Sequence, residues 1–260
     1  ITDIVARSDP MMKKHALSFS KKELQLDSCM TVTLFLMMEK LNISGTQSKY
    51  IKYFRSLPPI DHTFNLPQLE WNSTVEGRKA LDILHSSPSM STRLNAERLL
   101  QEKAMERLML TVFPSLMKDS NHSIDTIIKT FIWAKSVILT RSWTKPHSSI
   151  DGECTMVPIL DLLNHDEGGG GLVAVAFDDQ PNNIHSFGVL ATTNYSSGDE
   201  VVDSYDPPGT AQKRKCVQDM FIGFGFLPYS TKNSRPWCFD MKLTVKTNTF
   251  LLPSTNMKQL

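Results

Sequence analysis

The chain predicts an α+β fold, and three observations carry that prediction. Residues 28–143 repeat apolar side chains at helical spacing, the pattern after Trp143 shortens to strands, and turn residues punctuate that second stretch. Composition agrees: 260 residues with 40% hydrophobic and 21% charged side chains fall in the range of globular chains able to bury a core, which excludes wholesale disorder. The length suits one large domain or two modest ones.

The elements follow in chain order. Ser28 or Asp27 can cap a helix through Met30, Leu34, Met37, Met38 and Leu41; apolar on several faces, it is expected to be buried among other helices. From Gln47 to Leu57, Tyr50, Ile51, Phe54 and Leu57 form one stripe, which Pro58-Pro59 ends. A long helix is predicted from Leu94 to Met117, with Leu100, Met105, Leu108, Met109, Val112 and Leu116 on its apolar side and Glu102, Lys103 and Glu106 opposite. Ser123 caps a last helix with Asp125 in its first turn and Ile124, Ile127, Ile128, Phe131 and Ile138 along one side. Beyond Trp143, Cys154 to Leu160 is apolar and runs into Asp-Leu-Leu-Asn-His at 161–165. Leu172 to Phe177, Phe187 to Thr193 and Glu200 to Ser204 read as strands, with a turn at Ser197-Gly198-Asp199. Gly223 and Gly225 interrupt the region of Phe224 and Phe226, and Trp237 to Val245 begins a further strand.

Charge and cysteines narrow the function classes. With 28 Lys+Arg against 27 Asp+Glu, the net charge of +1 gives no bulk field to draw in nucleic acid or an anionic membrane. Lys213-Arg214-Lys215 is read as a solvated turn. The longest apolar run, Met30 to Met38, is about half a membrane span and is interrupted by threonines. Cys29, Cys154, Cys216 and Cys238 lie far apart without zinc spacing, so neither a metal site nor a dense disulfide framework is expected. A reducing, intracellular compartment (cytoplasm or nucleus) fits this pattern. Gly168 to Gly171 lacks the setting of a phosphate loop and is read as a connection. His15, His62, His85, His122, His147 and His185 show no partner pattern and are expected at the surface. The chain opens on Ile rather than Met and carries no signal peptide, so we expect it to begin inside a longer protein.

One combination is specific. Met156-Val-Pro-Ile-Leu-Asp-Leu-Leu-Asn-His165 is followed by Gly198-Asp-Glu-Val-Val-Asp-Ser-Tyr205 and then by Gly223-Phe-Gly-Phe-Leu-Pro228. These segments, in this order, resemble the C-terminal half of a SET domain. The resemblance is closest to the SET methyltransferases with a long helical insertion, the group of the Rubisco large-subunit lysine methyltransferase and the actin-histidine methyltransferase. Thr31-Val-Thr-Leu-Phe-Leu-Met-Met-Glu-Lys40 and Tyr50-Ile-Lys-Tyr-Phe-Arg-Ser-Leu-Pro58 resemble the opening helices of that insertion, and Phe131-Ile-Trp-Ala-Lys-Ser-Val-Ile-Leu-Thr-Arg-Ser142 the helix leading back to the core. The expected architecture is therefore a SET-domain β core with a long helical insertion, truncated at both ends. It would comprise an N-terminal segment (1–27), the insertion (28–143), the C-terminal half of the core (144–228) and the start of a C-terminal substrate-binding domain (229–260).

The resemblance implies S-adenosylmethionine as cofactor, no metal, and methyl transfer to a protein or peptide side chain, most readily a lysine of a non-histone substrate. Positioning dominates such a displacement, since well-oriented reactants remove roughly 7–11 kcal/mol of barrier. A lysine must also shed its proton; with a free pKa of about 10.4 this costs about 4–5 kcal/mol at neutral pH before the site helps. Desolvation and a nearby sulfonium cation both favour the neutral amine. The resemblance assigns cofactor contacts to Arg141, Asp161, Leu162, Leu163, Asn164, His165 and Phe224, and catalysis to the hydroxyl of Tyr205. Trp143, Asp161 and Tyr205 fall at the substrate channel. A bulky indole there narrows the channel around an aliphatic chain and offers cation–π contact to an ammonium, which favours lysine over histidine. The rival reading is a catalytically inactive SET-like module that binds a peptide or protein partner. The sequence does not give the oligomeric state.

Overall fold

The computed structural model describes residues 1, 3–16, 26–43, 49–62, 64, 66–71, 74–143, 154–166, 172–179, 184–205, 216–227, 241–245 and 248–252. The chain divides into two compact units, Ile1–Thr63 with Leu99–Asp161 and Phe64–Arg98 with Leu162–Leu260. Both helices and short strand pairs are present, so the α+β class stands. The four glycines at 168–171 and the basic triplet at 213–215 lie outside the described residues, as do Trp237 to Asp240.

The first unit is helical. Helix α1 (Asp3–Ser8) and α2 (Pro10–His15) pack on α3 (Ser28–Lys40). Asp9 caps α2, accepting from the Met11 and Met12 amides, with Pro10 pre-set in the first turn. Of the two candidate caps for α3 it is Asp27 that acts, accepting from the Met30 amide at 2.7 Å. The Ser28 hydroxyl is used elsewhere, accepting from the Cys154 amide at 3.1 Å. Every residue from Met30 to Met38 is buried, as the all-round apolar pattern requires. Its two buried threonines cost little because each hydroxyl donates to the carbonyl four residues back, Thr31 to Asp27 and Thr33 to Cys29.

Helix α4 (Ile51–Ser56) is held by Phe54, which is buried, and ends before Leu57 and Pro58. The Pro58 carbonyl accepts from the Trp133 indole at 2.9 Å. Helix α8 (Ile124–Arg141), capped by the Ser123 hydroxyl on the Thr126 amide, packs along α3. It buries Ile127, Phe131, Trp133, Ala134, Val137 and Ile138.

The second unit collects α5 (Val75–His85), the first half of α6 (Pro88–Leu110) and α9 (Val217–Phe224). Leu81, Met90, Leu94 and Ile222 form its buried cluster, with Trp71 and Leu84 against it. The strands pair in twos. β1 (Asn164–His165) runs parallel to β4 (Val202–Asp203), β2 (Leu172–Asp179) antiparallel to β3 (Ile184–Ala191), and β5 (Met241–Val245) antiparallel to β6 (Asn248–Leu252). The register puts Asn164 opposite Val202 and His165 opposite Asp203. Gly198 takes φ +96 in the turn before β4, a conformation glycine adopts without strain.

Several expectations are corrected. The single long helix from Leu94 to Met117 is two: α6 stops at Leu110 and α7 (Val112–Asp119) follows. Pro114 explains the break, because it has no N–H to give the Leu110 carbonyl and its ring crowds that oxygen. Two residues of the expected apolar face are accordingly solvent-facing, Leu100 at 62% and Met109 at 44% exposure. Gly223 and Gly225 do not break the chain into loops. Gly223 lies inside α9, and Gly225 closes that helix in the left-handed conformation, φ +78, its amide bonding to the Phe221 carbonyl. His15 is not at the surface; it is 2% exposed, with Nδ1 at 2.8 Å from the Ser115 hydroxyl and Asp119 near Nε2. The cysteines are not all apart either. Cys29 and Cys154 form a disulfide with Cα atoms 4.8 Å apart, tying the start of α3 to the segment that leads to Asp161.

Candidate functional site

The first unit gathers one cluster. Arg141 ends α8, and the following chain carries Trp143, which exchanges both backbone hydrogen bonds with Thr155 at 2.8 and 3.0 Å. This bridge, with the disulfide one residue before it, anchors residues 154–161. Residues 160–162 then form one 3-10 turn, with the Asp161 amide donating to the Val157 carbonyl at 3.0 Å. Between them Ile159 sits at φ +78. A β-branched residue in the left-handed region costs roughly 1–3 kcal/mol. Its side chain is 76% exposed, so packing of that side chain does not offset the cost.

The Asp161 side chain is fully buried beside Arg141. Arg141 Nη1 donates to the Asp161 carbonyl at 3.1 Å and lies 3.9 Å from carboxylate Oδ2. The Tyr53 hydroxyl, from α4, donates to the same Oδ2 at 2.7 Å. Oδ1 is buried and has no hydrogen-bond partner among the described residues. Burial raises the Asp161 carboxyl above the usual carboxylate range, while the Tyr53 bond and the Arg141 charge pull against it. Burial first, and the Asp161 charge second, push the Tyr53 phenol far above its ordinary value, so Tyr53 remains a neutral donor at all ordinary pH. A cation and an anion side by side, with one acceptor still unused, complement the zwitterionic end of an α-amino acid.

The second unit gathers the other predicted residues. His165 Nδ1 accepts from the Tyr205 amide at 3.0 Å, which leaves the ring proton on Nε2. The Tyr205 hydroxyl donates to the Leu163 carbonyl at 2.8 Å. Its ring lies 5.1 Å from His165, 4.8 Å from Phe224 and 6.2 Å from Phe226, centroid to centroid. Phe224 is where it is because it ends α9, and the left-handed Gly225 turns the chain so that Phe226 returns to the same ring cluster. The strand pair β1/β4 carries the arrangement, with the Asp166 amide adding a bond to the Asp203 carbonyl at 2.9 Å. Burial raises the Asp203 carboxyl, offset by a bond to Ser204 and by His165.

With its proton committed to Leu163, the Tyr205 oxygen presents lone pairs. It can accept from an amine or stabilise partial positive charge on a carbon. Asn164 differs from the rest: it is exposed, and its amide donates to Glu200 at 2.7 Å. Leu162 is 48% exposed. Tyr53 escaped the sequence reading, since its partner is 108 residues away and α4 shows only an apolar stripe. Among the described residues no group of three His, Cys, Asp or Glu is arranged to hold a metal. No helix among them is long and apolar enough to cross a membrane.

No protein-family model and no curated protein matches this chain. A crystal structure of the SET domain of LSMT bound to lysine and AdoHcy is similar over 88% of this chain and 45% of that one, at 18% identity and a TM-score of 0.49. The chain thus spans less than half the length of that protein.

Proposed function

We propose that this chain belongs to a SET-type methyltransferase that transfers a methyl group from S-adenosylmethionine to a protein side chain, a lysine of a non-histone substrate. The observation that carries the reading is the half-buried Arg141 beside the fully buried Asp161, whose Oδ1 has no hydrogen-bond partner among the described residues. S-adenosylmethionine ends in an α-amino acid, and when bound it supplies a methyl group on a sulfonium. Arg141 would hold its carboxylate and Asp161 would accept from its ammonium. Tyr205, its proton held by Leu163, would accept from the substrate amine and stabilise the charge on the carbon being transferred. The ring packing of His165, Phe224 and Phe226 fixes the direction of that oxygen. Trp143, backbone-bridged to Thr155, would wall the channel and favour an aliphatic side chain over an imidazole. Leu162, Leu163 and His165 would line the cofactor through backbone and ring edges.

One observation favours the rival. Asn164, expected to meet the cofactor, is solvent-facing and bonded to Glu200, which suits a module that binds a partner without chemistry. Titration calorimetry of the full chain with S-adenosylmethionine and its demethylated product separates the two. Binding, weakened at least tenfold (about 1.4 kcal/mol) by Arg141→Gln with melting behaviour retained, supports the enzyme. No binding at about millimolar cofactor overturns it in favour of the partner-binding module.

A further inference from the structure

Helix α4 is only six residues long and too short to persist on its own, so its placement comes from tertiary contacts. Phe54 is buried, Tyr53 and Phe54 pack ring to ring at 5.9 Å, and the chain just beyond, at Pro58, accepts the Trp133 indole bond. These contacts aim one hydroxyl at Asp161. That carboxylate has two oxygens in different situations: Oδ2 takes the Tyr53 hydroxyl at 2.7 Å and faces Arg141 at 3.9 Å, whereas Oδ1 is buried without a partner among the described residues. An orphaned, buried anionic oxygen costs folding free energy, and such groups persist where a ligand satisfies them.

We propose that Tyr53 is a positioning residue: by occupying Oδ2 it fixes the Asp161 carboxylate so that Oδ1 is the acceptor presented to an N–H donor of the ligand. The role rests on the function proposed above, in which that donor is the ammonium of S-adenosylmethionine. Tyr53 itself touches no reacting atom. It acts through Asp161, and it links the helical insertion to ligand affinity. The charged and titratable side chains facing the carboxylate are Arg141 from α8 and Tyr53 from α4.

Tyr53→Phe keeps the ring and removes the one bond. Calorimetry with S-adenosylmethionine across pH, on wild type and variant, reads the consequence. Affinity at neutral pH should fall by roughly tenfold, about the lower end of what a bond to a charged group contributes. The acid limb of the affinity profile should also move to higher pH, because the lost donor had favoured the ionised carboxylate. A purely structural tyrosine lowers the melting temperature without moving that limb. The same substitution made on Asp161→Ala should change affinity less than twofold, since the path runs through the carboxylate. Wild-type binding with Tyr53→Phe unchanged in affinity and in profile overturns the positioning role alone. No binding by the wild type overturns the methyltransferase reading and this role with it.

Discussion

Removing the single oxygen of Tyr205 separates folding from chemistry. Tyr205→Phe leaves the ring against His165, Phe224 and Phe226, and leaves the backbone bond from residue 205 to His165 Nδ1 intact. What goes is the 2.8 Å bond to the Leu163 carbonyl. A bond of this kind contributes about 0.5–1.5 kcal/mol net, so stability should drop by about 1 kcal/mol. For a chain of this size that lowers the melting temperature by about 2–4 °C. Turnover is the larger effect. If the oxygen stabilises charge on the migrating methyl group, its loss costs about 10²–10³ in rate, or roughly 2.7–4 kcal/mol. Cofactor affinity should stay within about twofold, the pattern of an interaction made mainly in the transition state. The assay is methyl incorporation into a confirmed substrate, read by mass spectrometry, with calorimetry and melting on the same preparations. Turnover within about threefold of wild type would refute the catalytic assignment, whatever the melting temperature does.

Two further perturbations test the framework that holds the site. Reducing the Cys29–Cys154 disulfide, or replacing either cysteine with serine, removes a link across 125 residues of chain; chain entropy sets an upper figure of roughly 5 kcal/mol, and about 2–4 is typical. Urea midpoints of the wild type and the serine variants report it, and identical midpoints would remove this link as a source of stability. His15 is held below its ordinary value of 6.5, by burial first and by Lys14 second, with Asp119 opposing. The unfolded chain therefore takes up a proton that the folded chain resists, so stability present above about pH 6.5 should decline as pH falls below it. His15→Gln should flatten that part of the curve in melting experiments, and an unchanged slope would remove His15 as the cause.

What was legible in the amino-acid order was whatever local physics decides. Asp27 and Ser123 as caps, the all-round burial of Met30 to Met38 and the turn at Gly198 follow from side chains acting within a few residues of themselves. Pro114 carried the break between α6 and α7 in the same way, although the apolar repeat across it obscured the signal. His165 and Tyr205 were each expected at the site through the resemblance, but that they would touch was not read from the sequence; the structure joins their segments by a parallel strand pair and a backbone-to-ring bond. Pairings across long stretches of chain were not legible. Tyr53 with Asp161, Cys29 with Cys154 and His15 with Ser115 are separated by 108, 125 and 100 residues. Nothing periodic marks such pairs, because they meet only after helices have packed and the loop entropy between them has been overcome. The exposure of Asn164 belongs to the same class, since which face of a two-residue strand meets solvent is set by its neighbours. Local sequence thus determined the caps of α3 and α8 and the order of the motifs, and packing decided which oxygen of Asp161 has no partner among the described residues.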